Sequence, residues 1–335
     1  MLATYTMNET KLQTRTVSAD EADIRLDRWF QRHFKSLTHG QLQKLLRTGQ
    51  VRVDGKRAEA SKRLAAGQEI RVPPQILNPS KEVKQIKAEV KVSRETERLK
   101  KLIIFEDDDV LVLNKPAGLA VQGGTGLKEN LDDMLHALSR KGEGKPKLVH
   151  RLDRDTSGVL ILARNAFAAT KLTAAFRARD TQKIYWGVTL GVPKPEKGRI
   201  DAPLVKQGEI MVVAEKDDEE EAKSAATLYQ VVESVKKQAA FVAMWPLTGR
   251  THQLRVHMAS ILKTPLLGDP LYGREAEKLP PESLGKGLHL HARRLVIPHP
   301  RRGVIDVVAP LGAEMMKTWK WFNFDANADT SFDDA

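Results

Sequence analysis

The chain has 335 residues, enough for roughly two domains with their own cores, and 41% of them are hydrophobic, as in ordinary soluble proteins. No run of about 18 apolar residues offers a membrane span, and the opening Met1-Leu2-Ala3-Thr4 has no basic-then-apolar signal pattern, so neither anchor nor secretory leader is expected. The absence of cysteine excludes disulfides, thiolate nucleophiles and Cys-ligated zinc and fits a reducing cytoplasm, while a net charge of +12 points to a polyanionic partner.

Residues 1–20 are polar and unpatterned and are expected to form a mobile arm. From Arg25 the spacing turns helical, with Leu26, Trp29, Phe30 and Phe34 on one stripe. Thr38 is a suitable N-cap for a second helix that turns Leu42, Leu45 and Leu46 inward and stops at Gly49. Val51-Arg52-Val53 alternates as a strand and turns at Asp54-Gly55, and residues 68–72 supply a closing strand. Between Ile24 and Val72 there are twelve Lys or Arg against four Asp or Glu, so this short stretch carries two thirds of the net charge. Solubilising charge would be spread more evenly, so the concentration reads as a footprint for nucleic acid. Arg28, Arg32, Lys35, Lys44, Arg47 and Arg52 are the candidate phosphate ligands; the plain alternative for each is a solvated helix face. Trp29 and Phe34, at helical spacing beside Leu26, read as core rather than as platforms for bases. Two basic helices followed by a hairpin, over residues 21–75, resemble the S-four-type (αL-type) RNA-binding domain.

Residues 76–100 are rich in Lys and Glu and poor in large apolar side chains, and read as a charged linker. A second domain over 101–324 opens with two apolar runs, 102–105 and 110–113, joined by Asp107-Asp108-Asp109. The triple Asp lacks the alternating spacing of a calcium loop and reads as a hairpin turn. Strands are expected around Val159, Ile184 and Phe241, with helices over 167–179 and 251–262. Without a strict strand–helix alternation this is an α+β domain on a mostly antiparallel or mixed sheet. A last helix carries Met315, Trp319 and Phe322 inward as a cover on the core, and residues 325–335 read as a disordered acidic tail.

The densest chemistry lies in His150-Arg151-Leu152-Asp153-Arg154-Asp155-Thr156-Ser157-Gly158, followed by the apolar run 159–163. A carboxylate between arginines sits on a tight polar turn that feeds a strand buried on both faces, a rigid mount for a reactive group. The bland reading is a solvated turn with surface ion pairs. The motif His-Arg-Leu-Asp-x-x-Thr-Ser-Gly, however, resembles the active-site signature of the RluA family of pseudouridine synthases. Asn114-Lys115-Pro116-Ala117-Gly118, Lys183-Ile184-Tyr185 and Gly249-Arg250-Thr251-His252-Gln253-Leu254-Arg255 match further motifs of that family in order. Within it the chain is most similar to the RluC-type enzymes that act on large-subunit ribosomal RNA.

The resemblance implies a synthase domain with a central cleft. It makes Asp153 the catalytic carboxylate, Tyr185 the tyrosine against the target base and Arg255 the arginine that pairs with Asp153. It also implies that Arg151 fills the place of a flipped-out uridine, that His150 contacts RNA or buttresses the turn, and that Leu254 and Lys115 line or support the pocket. Isomerising a uridine oxidises and hydrolyses nothing, so no cofactor or metal is required, and the expected partner is large-subunit ribosomal RNA, bound by a cytoplasmic monomer. Gln122-Gly123-Gly124-Thr125-Gly126 has neither the P-loop nor the dinucleotide pattern. His289 and His291 share one face of a strand but lack a further ligand, and with His252 and His257 they read as cleft-lining or hydrogen-bonded core histidines. Rival readings are a transfer RNA synthase, a ribosome-assembly factor that only binds RNA, and an N-glycoside hydrolase. The last generally needs a second carboxylate, for which the motif offers only Asp155.

Overall fold

The computed structural model describes residues 13–34, 37–73, 76, 96–123, 129–140, 142–178, 180–218, 220–273 and 283–332. The chain divides into two compact units, Met1–Lys91 and Val92–Ala335.

In the first unit, strands β1 (Gln13–Thr16), β2 (Arg52–Val53) and β3 (Glu69–Val72) form an antiparallel sheet in the order β1-β3-β2. Helix α1 (Leu26–His33) buries Leu26, Trp29 and Phe30 on it, and α2 (His39–Arg47) adds Leu42, Leu45 and Leu46. Thr38 starts α2 with a capping box: its hydroxyl accepts from the Gln41 N–H, and the Gln41 side chain accepts from the Thr38 N–H. The described part of the expected arm belongs to this fold. Residues 13–16 are β1, and Val17 is buried in the core, so pairing with β3 outweighs the polar composition.

The second unit carries β4 (Ile103–Glu106), β5 (Val110–Lys115), β6 (Lys147–Leu148), β7 (Ser157–Ala163), β8 (Gln182–Leu190), β9 (Lys197–Asp201), β10 (Leu204–Gln207), β11 (Ile210–Val213), β12 (Ala226–Val235), β13 (Ala239–Pro246), β14 (Leu290–Pro298) and β15 (Val304–Val308). Its helices include α3 (Leu131–Met134), α4 (Ala166–Ala178), α5 (Gln253–Val256) and α6 (Ala313–Phe322). A ten-stranded mixed sheet runs β4-β5-β7-β14-β8-β13-β12-β9, with β15 also on β14 and β6 also on β7; β10 and β11 form a separate hairpin. All its pairings are antiparallel except β7 with β14. All seven residues of β7 are buried. Leu160 and Leu162 face one apolar layer with Leu111 and Leu113, whereas Val159 and Ile161 face another with Ala168 and Leu172 of α4. This α+β class is the one expected.

The parallel seam explains one motif glycine. Gly158 lies opposite Ala292 with φ +108, and a Cβ there would stand 2.2 Å from the Ala292 carbonyl oxygen. Next to it the Ser157 hydroxyl donates to His291 Nδ1 at 2.8 Å, and the His291 Nε2–H donates to the Ala309 carbonyl at 3.1 Å.

Two expected boundaries move. Residues 96–100 are helical, with Leu99 fully buried in the second unit's core, so the charged stretch ends inside that unit; residues 77–95 lie outside the description. The acidic tail is packed as far as residue 332. The Trp186 indole N–H donates to Thr330 Oγ1 at 2.9 Å, and Phe332 meets Trp245 edge-on at 5.9 Å. Asp325 and Asp329 accept from the N–H groups of Asn327 and Ser331, so these acids shape turns.

Candidate active site

Asp153 sits in a turn just ahead of β7 and lines a cavity of about 490 Å³, a size suited to one small ligand or one nucleotide. Its loop is pinned from beneath. Lys115, at the end of β5, is fully buried, and its Nζ donates to the carbonyls of Pro116 (3.0 Å), Leu119 (2.9 Å) and Arg154 (3.0 Å). Burial lowers the Lys115 pKa to about 8, against an opposing pull from Asp155 and Asp153. A second clamp is the Gly118 N–H, which donates to the Arg154 carbonyl at 2.9 Å.

The flanking arginines do not hold Asp153. Arg154 turns to Asp155 at 3.0 Å, and Arg151 is exposed at the cavity rim. Arg255 does not pair with Asp153 either. Its guanidinium makes a two-pronged bond to Asp269, at 2.8 and 2.7 Å, with the two side chains 3% and 0% exposed. Asp269 also accepts from the N–H groups of Leu271 and Tyr272, and these bonds with Arg255 outweigh burial and keep its pKa low. Arg255 is thus a buttress of the wall on which Leu254 and His252 stand. Leu254 is buried and faces the cavity.

Helix α5 is fixed by Gln253. Its amide nitrogen donates to the Ala226 carbonyl and the Thr227 hydroxyl, and its oxygen accepts from the Thr248 hydroxyl and the Arg250 N–H. His252, immediately before, has the left-handed backbone φ 53 and brings its Nε2 to 4.0 Å from Asp153 Oδ2. Among the described residues no other basic nitrogen comes within 4.0 Å of Asp153.

Tyr185 enters from β8, where it pairs with Ala292 and Met244, and lines the same cavity as Asp153. Burial, and then the nearby Asp153 charge, raise its hydroxyl pKa, so it holds its proton at neutral pH. His150 is not a cationic RNA ligand. Its Nε2 accepts from the Ile161 N–H at 3.0 Å, its ring stacks on Phe176 at 4.5 Å, and burial followed by the Lys183 charge lowers its pKa to about 3. It ties the start of the motif to β7 and still lines the cavity. Exposed Arg177 of α4, with Arg151, adds positive charge to the cavity lining.

In the first unit Arg28, Lys44 and Arg47 are exposed, and Arg32 is exposed 3.7 Å from Asp20. Arg52 is engaged within the fold: it donates to the carbonyls of Gly49 (3.2 Å) and Gly55 (3.0 Å) and holds the hairpin turn. Lys35 lies outside the described residues, as do residues 124–126 of the glycine-rich stretch. His289 bonds Gly287 and Thr318, and His257 bonds Thr227 and Ala202, so their ring nitrogens are taken by hydrogen bonds. Among the described residues no three His, Asp or Glu side chains converge as a metal site requires.

Sequence reading missed Asp269, Tyr272 and the latch of Gln253. A signal for the first two existed in Gly268-Asp269-Pro270-Leu271-Tyr272-Gly273, a dense turn pattern with a buried-type aromatic.

The pattern described as RNA pseudouridylate synthase matches residues 109–260, and that of the S4 domain matches residues 24–70. The chain is 36% identical to "Ribosomal large subunit pseudouridine synthase C" of Vibrio vulnificus, over 93% of this chain and 97% of the relative. The protein of the same name from Rickettsia bellii is also 36% identical, over 82% and 89%. Among solved structures, "Human RNA Pseudouridylate Synthase Domain Containing 4" superposes with a TM-score of 0.60 at 30% identity, covering 70% of this chain and 98% of that one.

Proposed function

We propose that this chain, which belongs to the RNA pseudouridylate synthase family, isomerises particular uridines of large-subunit ribosomal RNA with Asp153 as its essential carboxylate. The reading is carried by Asp153, clamped by its loop at a cavity it shares with Tyr185 and Leu254, in a chain similar along almost its whole length to enzymes named for that substrate.

The reaction breaks the N1–C1′ bond and forms a C5–C1′ bond; C5 loses a proton and N1 gains one. Nothing is oxidised or hydrolysed, and the balance requires no cofactor. The target uridine leaves its stack, at a cost of roughly a few kcal/mol, and enters the cavity. Arg151, exposed at the rim, takes the vacated place, since a guanidinium plane stacks on bases and bonds to phosphates. Asp153 acts at the sugar–base junction, and Tyr185, kept protonated, lies against the base and holds it while it turns. The S4 domain supplies affinity through Arg28, Lys44 and Arg47. The enzyme works in the cytoplasm as a monomer.

RNA labelled with tritium at uridine C5 tests this reading, because the label leaves only if C5 is substituted. Release from large-subunit RNA and none with Asp153→Asn is the expected result. Release from transfer RNA alone overturns the substrate, and release by Asp153→Asn overturns the residue.

A further inference from the structure

Among the described residues the Asp153 carboxylate, whose loop is clamped through the Arg154 carbonyl, has no side chain within hydrogen-bonding distance. What approaches it is His252, whose Nε2 is 4.0 Å from Oδ2. That residue is held in an unusual way. Its backbone is left-handed, φ 53, a region that residues other than glycine occupy sparsely. Its ring meets the Tyr272 hydroxyl, with Nδ1 2.9 Å from the phenolic oxygen.

The Tyr272 contact sets which nitrogen carries the proton. The Tyr272 oxygen accepts from the Met211 N–H of β11 at 3.1 Å. Burial raises its pKa, so the phenol keeps its proton and, with its oxygen already accepting from Met211, has that proton to donate. Among the described residues the acceptor within reach is His252 Nδ1. A ring that accepts at Nδ1 bears its hydrogen on Nε2, and Nε2 is the atom turned to Asp153. Burial also lowers the His252 pKa, which favours the neutral ring. Tyr272 is fixed in turn: its backbone N–H donates to Asp269, and the Arg255 guanidinium lies over its ring at 5.1 Å. The chain of support runs Arg255, Asp269, Tyr272, His252, Asp153.

We propose that His252 is a positioning residue: its Nε2–H, fixed in tautomer by the Tyr272 hydroxyl, closes on Asp153 Oδ2 when RNA binds and turns the other carboxylate oxygen toward the target nucleotide. The closure needed is about 1 Å, and catalytic hydrogen bonds are often long before substrate arrives. The inference rests on the reading of Asp153 as the reacting carboxylate. It gives the strained backbone at His252 a purpose and assigns the Arg255–Asp269 pair to holding a second residue in line rather than Asp153 itself.

Two substitutions separate reach from folding. Asn suits a left-handed backbone, so His252→Asn keeps the turn while its shorter amide falls short of Asp153. His252→Gln places an amide N–H near the position of Nε2. With His252→Asn, kcat falls on the order of ten- to a hundred-fold while KM stays within about two-fold, and His252→Gln restores part of the loss. Nitrogen-15 NMR of the ring, assigned by the signal missing in His252→Asn, shows Nε2 protonated and Nδ1 accepting. Wild-type kcat in His252→Asn, equal losses in both variants, or a proton on Nδ1 overturns the proposal. Turnover by Asp153→Asn instead defeats the reading of Asp153, so the two failures are distinct.

Discussion

Positive charge on the two helices of the first unit is held in the opposite way to that of Arg255 and Lys115 in the second. On α1 and α2, Arg28, Lys44 and Arg47 stand in solvent, and the ion pair of Arg32 with Asp20 is exposed on both sides. Around the cleft, Arg255 is 3% exposed and bonded twice to Asp269, and Lys115 is fully buried on three carbonyls. The first arrangement attracts a polyanion from a distance and tolerates loss of any one member. The second does not attract anything; it fixes atoms. Charge that recruits is exposed and shared among several side chains, and charge that positions is buried and bonded to fixed partners.

That contrast is sharpened most by Asp269→Asn, which leaves the Arg255 charge buried without its counter-ion. Stability falls by about 3–5 kcal/mol, whereas Arg28→Ala changes it by less than about 0.5 kcal/mol. Denaturant unfolding of both variants decides the matter, and equal losses would break the contrast.

The next largest effect is on acid stability. Folded His150 protonates only near pH 3, against 6.5 for the free side chain. Between those values the unfolded chain binds a proton that the folded chain refuses, so stability falls as pH drops through that window, by an amount on the order of a few kcal/mol. In His150→Gln this component vanishes, and unfolding curves between pH 7 and 3 show a shallower decline. An unchanged slope refutes the buried neutral ring.

The smallest effect is in the first unit. Lys44→Ala and Arg47→Ala each weaken RNA binding severalfold, and each lowers the slope of log affinity against log salt by about 0.7–0.9. An unchanged slope would remove these residues from the footprint.

The sequence was legible where local pattern decides structure. The run 157–163 reads as a strand buried on both faces, and it is one because Leu160 and Val159 have apolar layers on opposite sides. Thr38 reads as a cap and caps. Composition misled at the two ends. Polar residues 13–16 still pair as β1, and the acids at 325 and 329 bond to nearby backbone, which acidity alone does not reveal. At the cleft, the residues that gather Asp153, Tyr185 and Leu254 were visible as motifs, but their partners were not. Arg255 makes its two-pronged bond to Asp269, a residue in a separate turn beyond its helix, and no spacing rule names that acceptor. The backbone φ of His252 and the tautomer set by Tyr272 are likewise products of tertiary placement.

Carbodiimide treatment and primer extension, mapping pseudouridine in large-subunit ribosomal RNA after incubation with pure protein and no added cofactor, test the role of Asp153 most directly. New stops at discrete uridines, all lost with Asp153→Asn while RNA affinity is retained, are the predicted result. Undiminished stops with Asp153→Asn, or no stops despite tight binding, would contradict it.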